Sequence, residues 1–223
     1  MLYVRFTMKN ALVLMLAVML ASPLAAHPHI FVDTGLDLRF DAEGRLTEVK
    51  VTWAYDEFYS LLITEDRGLD PDFDGVLTPT ELADLTGFDM QWTEGFNGDL
   101  VIMQEGRELP LSGPMEATAV FNDGRITTTH VRRVDPDQQV GARIDVKPYD
   151  ATYYTAYDIT LPVRISGLDA CRHSIDMPDI DARLREMRDL LNTLDMDTTP
   201  QDEGLPDIGG LLASTVMVTC DIS

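Results

Sequence analysis

The sequence predicts a mainly β (α+β) protein, an antiparallel β-sandwich-like domain that carries a helical insertion and one long C-terminal helix. Three observations support this fold class. Alternating apolar and polar residues recur along most of the chain, and turn sequences such as Asn122-Asp123-Gly124, a strong hairpin signal, separate the runs. A helical segment interrupts this pattern after the second run. Another helical pattern, with apolar residues every three or four positions, comes near the C-terminus.

The N-terminal part of the chain predicts a hairpin followed by the helical insertion. Two alternating runs flank a polar turn, as the two strands of a hairpin do. In the first predicted helix, Phe58, Leu61 and Leu62 recur at helical spacing, so we expect them on the side that packs on the core. The predicted elements are strands at residues 29–40 and 46–55 and helices at residues 56–65 and 80–86.

The rest of the chain predicts further strands, the long helix and a linker. Apolar residues from Ile180 to Leu191 follow at spacings of four, three and four, which predicts a helix at residues 178–194. Proline, glycine and acidic residues at 198–210 indicate a mobile linker. The predicted strands are residues 99–104, 108–111, 117–121, 126–132, 142–146, 152–159, 163–166 and 214–219.

An acidic segment inside the insertion, residues 70–81, fills every side-chain position of the calcium-loop pattern D-x-D-x-D-G-x5-E. Carboxylates at positions one, three, five and twelve are hard oxygen ligands that suit Ca²⁺, and Gly75 stands where the loop must bend sharply. We therefore predict an EF-hand-like calcium loop, and an ion-free acidic turn is the alternative. The predicted ligands are Asp70, Asp72, Asp74, the carbonyl of Val76, Thr78 and Glu81.

The surroundings of this loop predict a single hand with a structural role. Gly68 interrupts the entering helix, and Glu65 and Asp66 stand where such a helix usually has apolar residues. Two other segments, at Asp135 and Asp195, begin like calcium loops but lack the glycine and the final glutamate of the pattern. In a calcium-rich compartment, a lone hand acts more readily as a structural clip than as a switch.

The N-terminus has the features of a secretory signal peptide. Arg5 and Lys9 precede an apolar run at residues 11–21, and small residues at 22–26 suit a cleavage site. The apolar run is shorter than the roughly 20 residues that a membrane-spanning helix needs. We expect no stable membrane insertion after cleavage. The expected division is a signal peptide at 1–26 and one periplasmic domain at 27–223, with the insertion at about 56–90.

The mature chain is strongly acidic. The sequence has 38 acidic residues against 17 lysines and arginines, and loss of the two basic residues of the signal peptide changes the formal net charge from −21 to −23. This charge argues against nucleic acid and anionic lipid as partners. It favours cations, although it also serves solubility.

The sequence contains two cysteines, Cys171 and Cys220. In an oxidising compartment we expect them to form one disulfide that ties the last strand to an earlier part of the chain. The alternative is that Cys171 and His173 act as metal ligands.

Cleavage after Ala26 would give a mature chain that begins His27-Pro28-His29. The amino group and imidazole of a terminal histidine chelate transition metals, and His29, two residues along an extended chain, points to the same side. Pro28 has no backbone N–H to deprotonate, so the square-planar amide site of an X-X-His terminus is excluded. Asp33 continues this alternating face as a further ligand or as the partner that orients an imidazole. The pattern predicts a site for nickel, cobalt, zinc or copper, and two histidines at a frayed terminus are the alternative.

Other candidate residues have structural interpretations. His130 and His173 have no second ligand nearby in the sequence, so we expect structural histidines. The aromatic and acidic residues at 53–59 and 149–154 are interpreted as core packing and caps, because Asp56 precedes a predicted helix as an N-cap does. The sequence has no nucleophile elbow, phosphate loop, Cys-x-x-Cys or zincin motif, and we expect no enzyme.

Several motifs together resemble the DUF1007 family of bacterial periplasmic proteins, which are sometimes labelled as a periplasmic component of an ABC-type transport system. Members often accompany, or are fused to, nickel/cobalt-type permeases, so the resemblance implies transition-metal handling with a membrane permease as partner. Ala151 departs from the proline that is usual in the family. The motifs that carry the resemblance are residues 27–33, Trp53, residues 56–60, residues 70–75 and residues 149–153.

These observations lead to one preferred function and two alternatives. The preferred function is a non-enzymatic periplasmic accessory protein in which His27, His29 and Asp33 capture a transition metal for uptake or efflux by a permease and Ca²⁺ holds the insertion in shape. The first alternative is a secreted copper oxidoreductase with a terminal His brace, which would need Tyr153 or Tyr154 folded beside the terminus. The second is a calcium-stabilised protein-interaction domain without a transition metal.

Overall fold

A computed structural model describes residues 28–135, 137, 139, 143–191 and 207–221. This part of the chain forms strands and short helices. The strands are β1 (Ile30–Phe40), β2 (Leu46–Tyr55), β3 (Leu100–Gln104), β4 (Arg107–Glu108), β5 (Met115–Asn122), β6 (Arg125–Arg133), β7 (Arg143–Pro148), β8 (Thr155–Asp158), β9 (Val163–Ser166), β10 (Cys171–Asp176) and β11 (Thr215–Cys220). The helices are α1 (Glu57–Arg67), α2 (Pro79–Leu85), α3 (Ile180–Leu191) and α4 (Ile208–Leu212).

The strands form two sheets that share one hydrophobic core. The first sheet has the order β5-β6-β2-β1-β8, with β9 also paired to β1, and the second has the order β10-β11-β7-β3-β4. Apolar residues of both sheets belong to a single buried cluster, for example Leu36 and Val51 from the first sheet and Ile102, Val146 and Val216 from the second. The prediction of a mainly β protein is therefore confirmed.

The first sheet is mixed, whereas the sequence predicts predominantly antiparallel strands. Strand β1 pairs antiparallel with β2 along most of its length, and its other edge pairs parallel with β8 and then with β9. The chain crosses between these two strands at Leu161 and Pro162, where the N–H of Leu161 donates to the carbonyl of Thr34 at 3.2 Å. A Cβ on Gly35 would lie 3.0 Å from the Cβ of Leu161, so glycine permits this close crossing.

Helix α1 presents the opposite side to the core from the one that the sequence predicts. Ser60 and Thr64 are its buried residues, and Oγ of Ser60 accepts a hydrogen bond from the N–H of Ile126 in β6 at 2.9 Å. The predicted core-facing residues instead point outward. Their exposed fractions are 74% for Phe58, 52% for Leu61 and 44% for Leu62.

The cap of α1 explains this orientation. Both carboxylate oxygens of Asp56 accept backbone hydrogen bonds, one from the N–H of Tyr59 inside the helix and one from the N–H of Phe31 in β1, each at 2.8 Å. These bonds attach the start of the helix to the strand and fix its rotation. Tyr59 and Ile63 consequently supply the apolar contact with the core.

The C-terminal part differs from the sequence prediction in two places. The helix predicted at residues 178–194 is the short helix α3, and residues 192–206 lie outside the described range, so a long C-terminal helix is not supported. The predicted linker overlaps α4, whose cap is Asp207. The described part of that linker is thus partly helical because the Asp207 carboxylate accepts from the N–H of Gly210 at 2.9 Å. Within the described residues, no helix is long and apolar enough to cross a membrane.

A disulfide joins the two cysteines, as the sequence predicts. Cys171 and Cys220 are directly opposite each other in the antiparallel pair of β10 and β11. Because β10 is an edge strand with mostly exposed residues, few packing contacts hold it. The disulfide therefore adds a covalent attachment to the backbone pairing with β11 at the start of this strand.

Candidate functional site

The predicted calcium loop lies between α1 and α2. Leu69 and Leu77 are buried in the core cluster, so they anchor the two ends of the loop to the protein. Between these anchors, carboxylate oxygens of Asp70, Asp72 and Asp74 lie within 4.8 Å of one another. Three acidic side chains thus converge from alternate positions, which is the arrangement of oxygen ligands that hard cations require.

Hydrogen bonds within the loop hold these residues in place. The Asp70 carboxylate accepts from the N–H of Asp74 at 3.0 Å and from that of Gly75 at 3.1 Å, and the Asp74 carboxylate accepts from the N–H of Val76 at 2.8 Å. Gly75 has a φ of 77°, a conformation that glycine adopts without strain. The tight loop therefore depends on the residues that the calcium pattern prescribes.

Glu81 closes the loop from its far end. Its Oε1 accepts from the N–H of Asp70 at 3.1 Å, and its Oε2 accepts from the N–H and the hydroxyl of Thr78, each at 2.7 Å. These hydrogen bonds, those from Thr78 first, lower the pKa of Glu81. Thr78 is the N-cap of α2 and forms a capping box with Glu81. Glu81 is thus beside Asp70, and its bonds with Thr78 belong to the helix cap.

Two of the three predicted transition-metal residues are described: His29 directly precedes β1, and Asp33 lies within it. His27 lies outside the described residues. His29 is exposed, its N–H donates to the carbonyl of Tyr154 at 2.8 Å, and the two rings lie 4.8 Å apart. Tyr154, one of the two tyrosines that the oxidoreductase alternative would use, therefore lies beside His29.

Asp33 is on the same strand but has other partners. Its carboxylate accepts from Nη2 of Arg125 at 2.7 Å and from the hydroxyl of Thr160, and these bonds, that from Thr160 first, lower its pKa. Four residues of extended strand separate it from His29, which corresponds to roughly 13 Å. The structure therefore places Asp33 in an ion pair and does not bring it together with His29.

Three of the motifs that carry the family resemblance, at the start of β1, at residues 56–60 and at residues 149–153, meet at this end of the first sheet. Asp56, which caps α1, is bonded to Phe31 in β1. The Asp150 carboxylate accepts from the N–H groups of Thr152, Tyr154 and Thr155, which shapes the turn that contacts His29. These segments are distant in sequence, and their convergence indicates one structural region.

Next to this region is a pocket of about 190 Å³ with largely aromatic walls. It opens between the start of β1, the end of β2, helix α1, strand β8 and the segment that precedes β3. Sequence reasoning interpreted its β2 residues as core packing and missed the segment with Asp89, Trp92 and Phe96. The recurrence of Phe88, Trp92 and Phe96 every four residues was the available signal. The lining residues are Ile30, Trp53, Tyr55, Tyr59, Asp89, Trp92, Phe96, Thr155 and Tyr157.

Two carboxylates accept hydrogen bonds from tyrosine hydroxyls of the pocket wall. Oδ2 of Asp89 accepts from the hydroxyls of Tyr55 at 2.8 Å and Thr128 at 2.6 Å, and Oδ2 of Asp99 accepts from the hydroxyl of Tyr157 at 2.8 Å. Burial raises the pKa of Asp89, and it raises that of Asp99 to about 6. The surroundings of the pocket therefore include two carboxyl groups as well as the aromatic rings.

The two other histidines lie away from the acidic loop. His130 is fully buried between Trp53 and Trp92, and neither ring nitrogen has a hydrogen-bond partner among the described residues. Burial, with a smaller effect of Arg132, lowers its pKa to about 4, so the ring is neutral and part of the core at pH 7. His173 is exposed on β10. Cys171, the partner considered for it, is in the disulfide.

Comparison with known proteins identifies a family but no characterised relative. No curated protein matches the chain. A family described as protein of unknown function (DUF1007) matches residues 12–220, which is nearly the whole sequence. The chain therefore belongs to the DUF1007 family.

Proposed function

We propose that this protein is a periplasmic, non-enzymatic metal-binding accessory protein that assists uptake or efflux of a transition metal by a membrane permease. The EF-hand-like loop at residues 70–81 binds Ca²⁺ and holds the helical insertion in shape. His27 and His29 at the mature terminus capture nickel, cobalt, zinc or copper. The disulfide between Cys171 and Cys220 is compatible with an oxidising compartment.

The convergence of Asp70, Asp72 and Asp74 carries the calcium part of this proposal. Three carboxylates with oxygens within 4.8 Å of one another repel each other unless a cation or protons neutralise them. Glu81 is attached to Asp70 and has only to turn away from the helix cap to become the closing ligand. The carbonyl of Val76 and the hydroxyl of Thr78 complete the proposed set.

A structural role for calcium follows from where the loop is attached. Leu69 and Leu77 bury the ends of the loop, and the flanking helices α1 and α2 pack on the first sheet through Tyr59, Leu82 and Leu85. A cation in the loop would therefore fix both helices against the sheet. The exposed stripe of Phe58, Leu61 and Leu62 on α1 is the apolar surface that we assign to contact with the permease.

Metal capture is assigned to the terminal amine and the histidines. His29 is exposed and extends from the start of β1, so its imidazole is accessible to a metal. Asp33 is held by Arg125 and Thr160, and we assign it a supporting role in the strand. In this arrangement the metal is held at the surface, which suits transfer to a partner.

The test of calcium binding uses two matched substitutions in isothermal titration. Asp72 accepts no hydrogen bond from the described residues, so Asp72→Asn removes one ligand charge and leaves the apo loop unchanged. We expect at least roughly ten-fold weaker Ca²⁺ binding in Asp72→Asn. Asp66→Asn makes the same charge change at an exposed position of α1 and should bind like the wild type. An equal loss of Ca²⁺ affinity in both variants, or no Ca²⁺ binding by the wild type, would refute the site.

A second candidate is a copper-dependent oxidoreductase built on a terminal His brace. The observation that favours it is the Tyr154 ring 4.8 Å from that of His29, where an axial aromatic would be needed. The correctly processed, copper-loaded protein would be incubated with a reductant and oxygen. Peroxide formation or substrate oxidation that is lost in Tyr154→Leu but not in the exposed Phe58→Leu control would favour the enzyme over the accessory protein.

A further inference from the structure

The aromatic pocket has the composition of a cation-binding cage. Six of its nine lining residues are aromatic, and Tyr59, Trp92, Phe96 and Tyr157 reach the protein surface. The faces of aromatic rings carry partial negative charge and attract cations within about 6 Å. One ring of this wall already binds a cation, because the guanidinium of Arg132 lies 4.7 Å from the centre of the Trp92 ring.

The two carboxylates at the pocket outnumber the one cation at its wall, Arg132, and favour a further cation. Asp89 lines the pocket, and Asp99 lies behind Tyr157. Neither carboxylate forms an ion pair with a basic residue in the part of the chain that the structure describes. Arg67 acts on Asp89 only from a distance. A positive charge in the pocket would compensate both buried carboxylates, whereas an anion would be repelled by them.

The chemistry of the walls also selects the type of cation. A bare metal ion needs several oxygen, nitrogen or sulfur ligands, and among the lining residues only Asp89 offers a carboxylate. Ring faces and aliphatic carbons are good neighbours for the methyl groups of an alkylated ammonium. A cavity of about 190 Å³ accommodates a group of that size.

We propose that the pocket bounded by Trp53, Tyr59, Asp89, Phe96 and Tyr157 binds a small organic cation with a methylated ammonium group. The ring faces contact the methyl groups, and Asp89 supplies the countercharge. None of the pocket's lining residues belongs to the acidic loop, and the site gives the protein a second class of ligand.

The two tryptophans of the chain, Trp53 and Trp92, both line this pocket, so intrinsic tryptophan fluorescence reports on it directly. The wild type would be titrated with choline and, in parallel, with 3,3-dimethyl-1-butanol, its uncharged carbon isostere, at constant calcium. We expect a saturable fluorescence change with choline at concentrations up to roughly 10 mM and a response at least ten-fold weaker with the alcohol.

Three variants complete the test. Asp89→Asn keeps an acceptor for Tyr55 and Thr128 but removes the charge, and Phe96→Leu removes a pocket ring that is 41% exposed. Each should weaken choline binding at least roughly ten-fold, whereas Phe58→Leu, an exposed ring outside the pocket, should not. Equal affinity for the alcohol, no saturable change in the wild type, or equal loss in Phe58→Leu and Phe96→Leu would overturn the proposal.

Discussion

The backbone N–H of Asp70 donates a hydrogen bond to Oε1 of Glu81 at 3.1 Å, so the first and last residues of the acidic loop are joined directly. This bond closes the loop. It also places the acidic side chain of position twelve beside the backbone of position one.

We predict that Ca²⁺ raises the melting temperature and that Asp70→Ala or Glu81→Ala abolishes this rise. At ten-fold excess over Kd, binding stabilises the folded state by about 1.4 kcal/mol. Without calcium, Asp70→Ala should still cost roughly 0.5–1.5 kcal/mol, because the N–H groups of Asp74 and Gly75 lose their acceptor, while Asp72→Asn should cost little. Calorimetry with and without chelator measures both effects. A wild type whose melting temperature ignores calcium would show that the loop does not bind the ion.

The second prediction concerns the terminus. Protein that starts at His27 should bind Cu²⁺, Ni²⁺ or Zn²⁺ at one site at least ten-fold more tightly than a version extended by one residue, since an amide replaces the amine ligand. The expected loss is about 1.4 kcal/mol. His29→Ala should weaken binding further. Asp33→Asn should leave the affinity unchanged, because Arg125 and Thr160 already occupy that carboxylate.

Titration calorimetry of the processed, extended and substituted proteins makes this comparison. The same affinity in the extended and processed forms would show that the amine is not a ligand. Unchanged binding after loss of both histidines would reduce the motif to a family signature.

The third prediction concerns the disulfide between Cys171 and Cys220. The double substitution to serine should lower the free energy of unfolding by about 2 to 4 kcal/mol, because it releases a loop with a sequence separation of 49 residues. Since β10 is an edge strand, amide exchange should accelerate there more than in β2. Reduced wild type serves as the control and should behave like the variant. Two free thiols in unreduced, alkylated material would contradict the bond.

The fourth prediction is a pH dependence that Asp99 contributes. Burial raises its pKa from 3.8 to about 6 in the folded protein, so the folded state holds a proton that the unfolded state releases between these values. This contribution to stability is present below pH 4 and is lost as the pH rises through 6. The Asn side chain in Asp99→Asn can still accept the hydrogen bond from the Tyr157 hydroxyl. It does not ionise, so this loss of stability with rising pH does not occur in the variant. Between pH 4 and pH 7.5, we expect the free energy of unfolding of Asp99→Asn to rise by roughly 1–3 kcal/mol relative to that of the wild type.

Urea unfolding of both proteins across this pH range measures the difference. The control is Asp84→Asn, at an exposed acidic position on α2. Its free energy of unfolding should differ from that of the wild type by the same amount at every pH. A flat difference for Asp99→Asn as well would show that the residue is not protonated in the folded protein near pH 5.

Local patterns in the sequence were sufficient for most elements and for the acidic loop. Strand β2 is observed with the predicted bounds because alternation with a period of two marks a strand buried on one face. The spacing of Asp70, Asp72 and Asp74 brings their carboxylates together because the loop is short and its bends are set by Gly75 and by bonds to its own backbone. The two cysteines had only each other as partners.

Only the tertiary structure decided which surfaces are covered. Helix α1 has apolar residues on both sides, so periodicity alone could not tell whether Phe58 or Tyr59 faces the sheet, and the bond from Phe31 to Asp56 decided it. Parallel pairing of β1 with β8 uses backbone hydrogen bonds that are the same for any sequence. The aromatic pocket combines residues from Ile30 to Tyr157, and contacts over such separations leave no periodic signal in the chain.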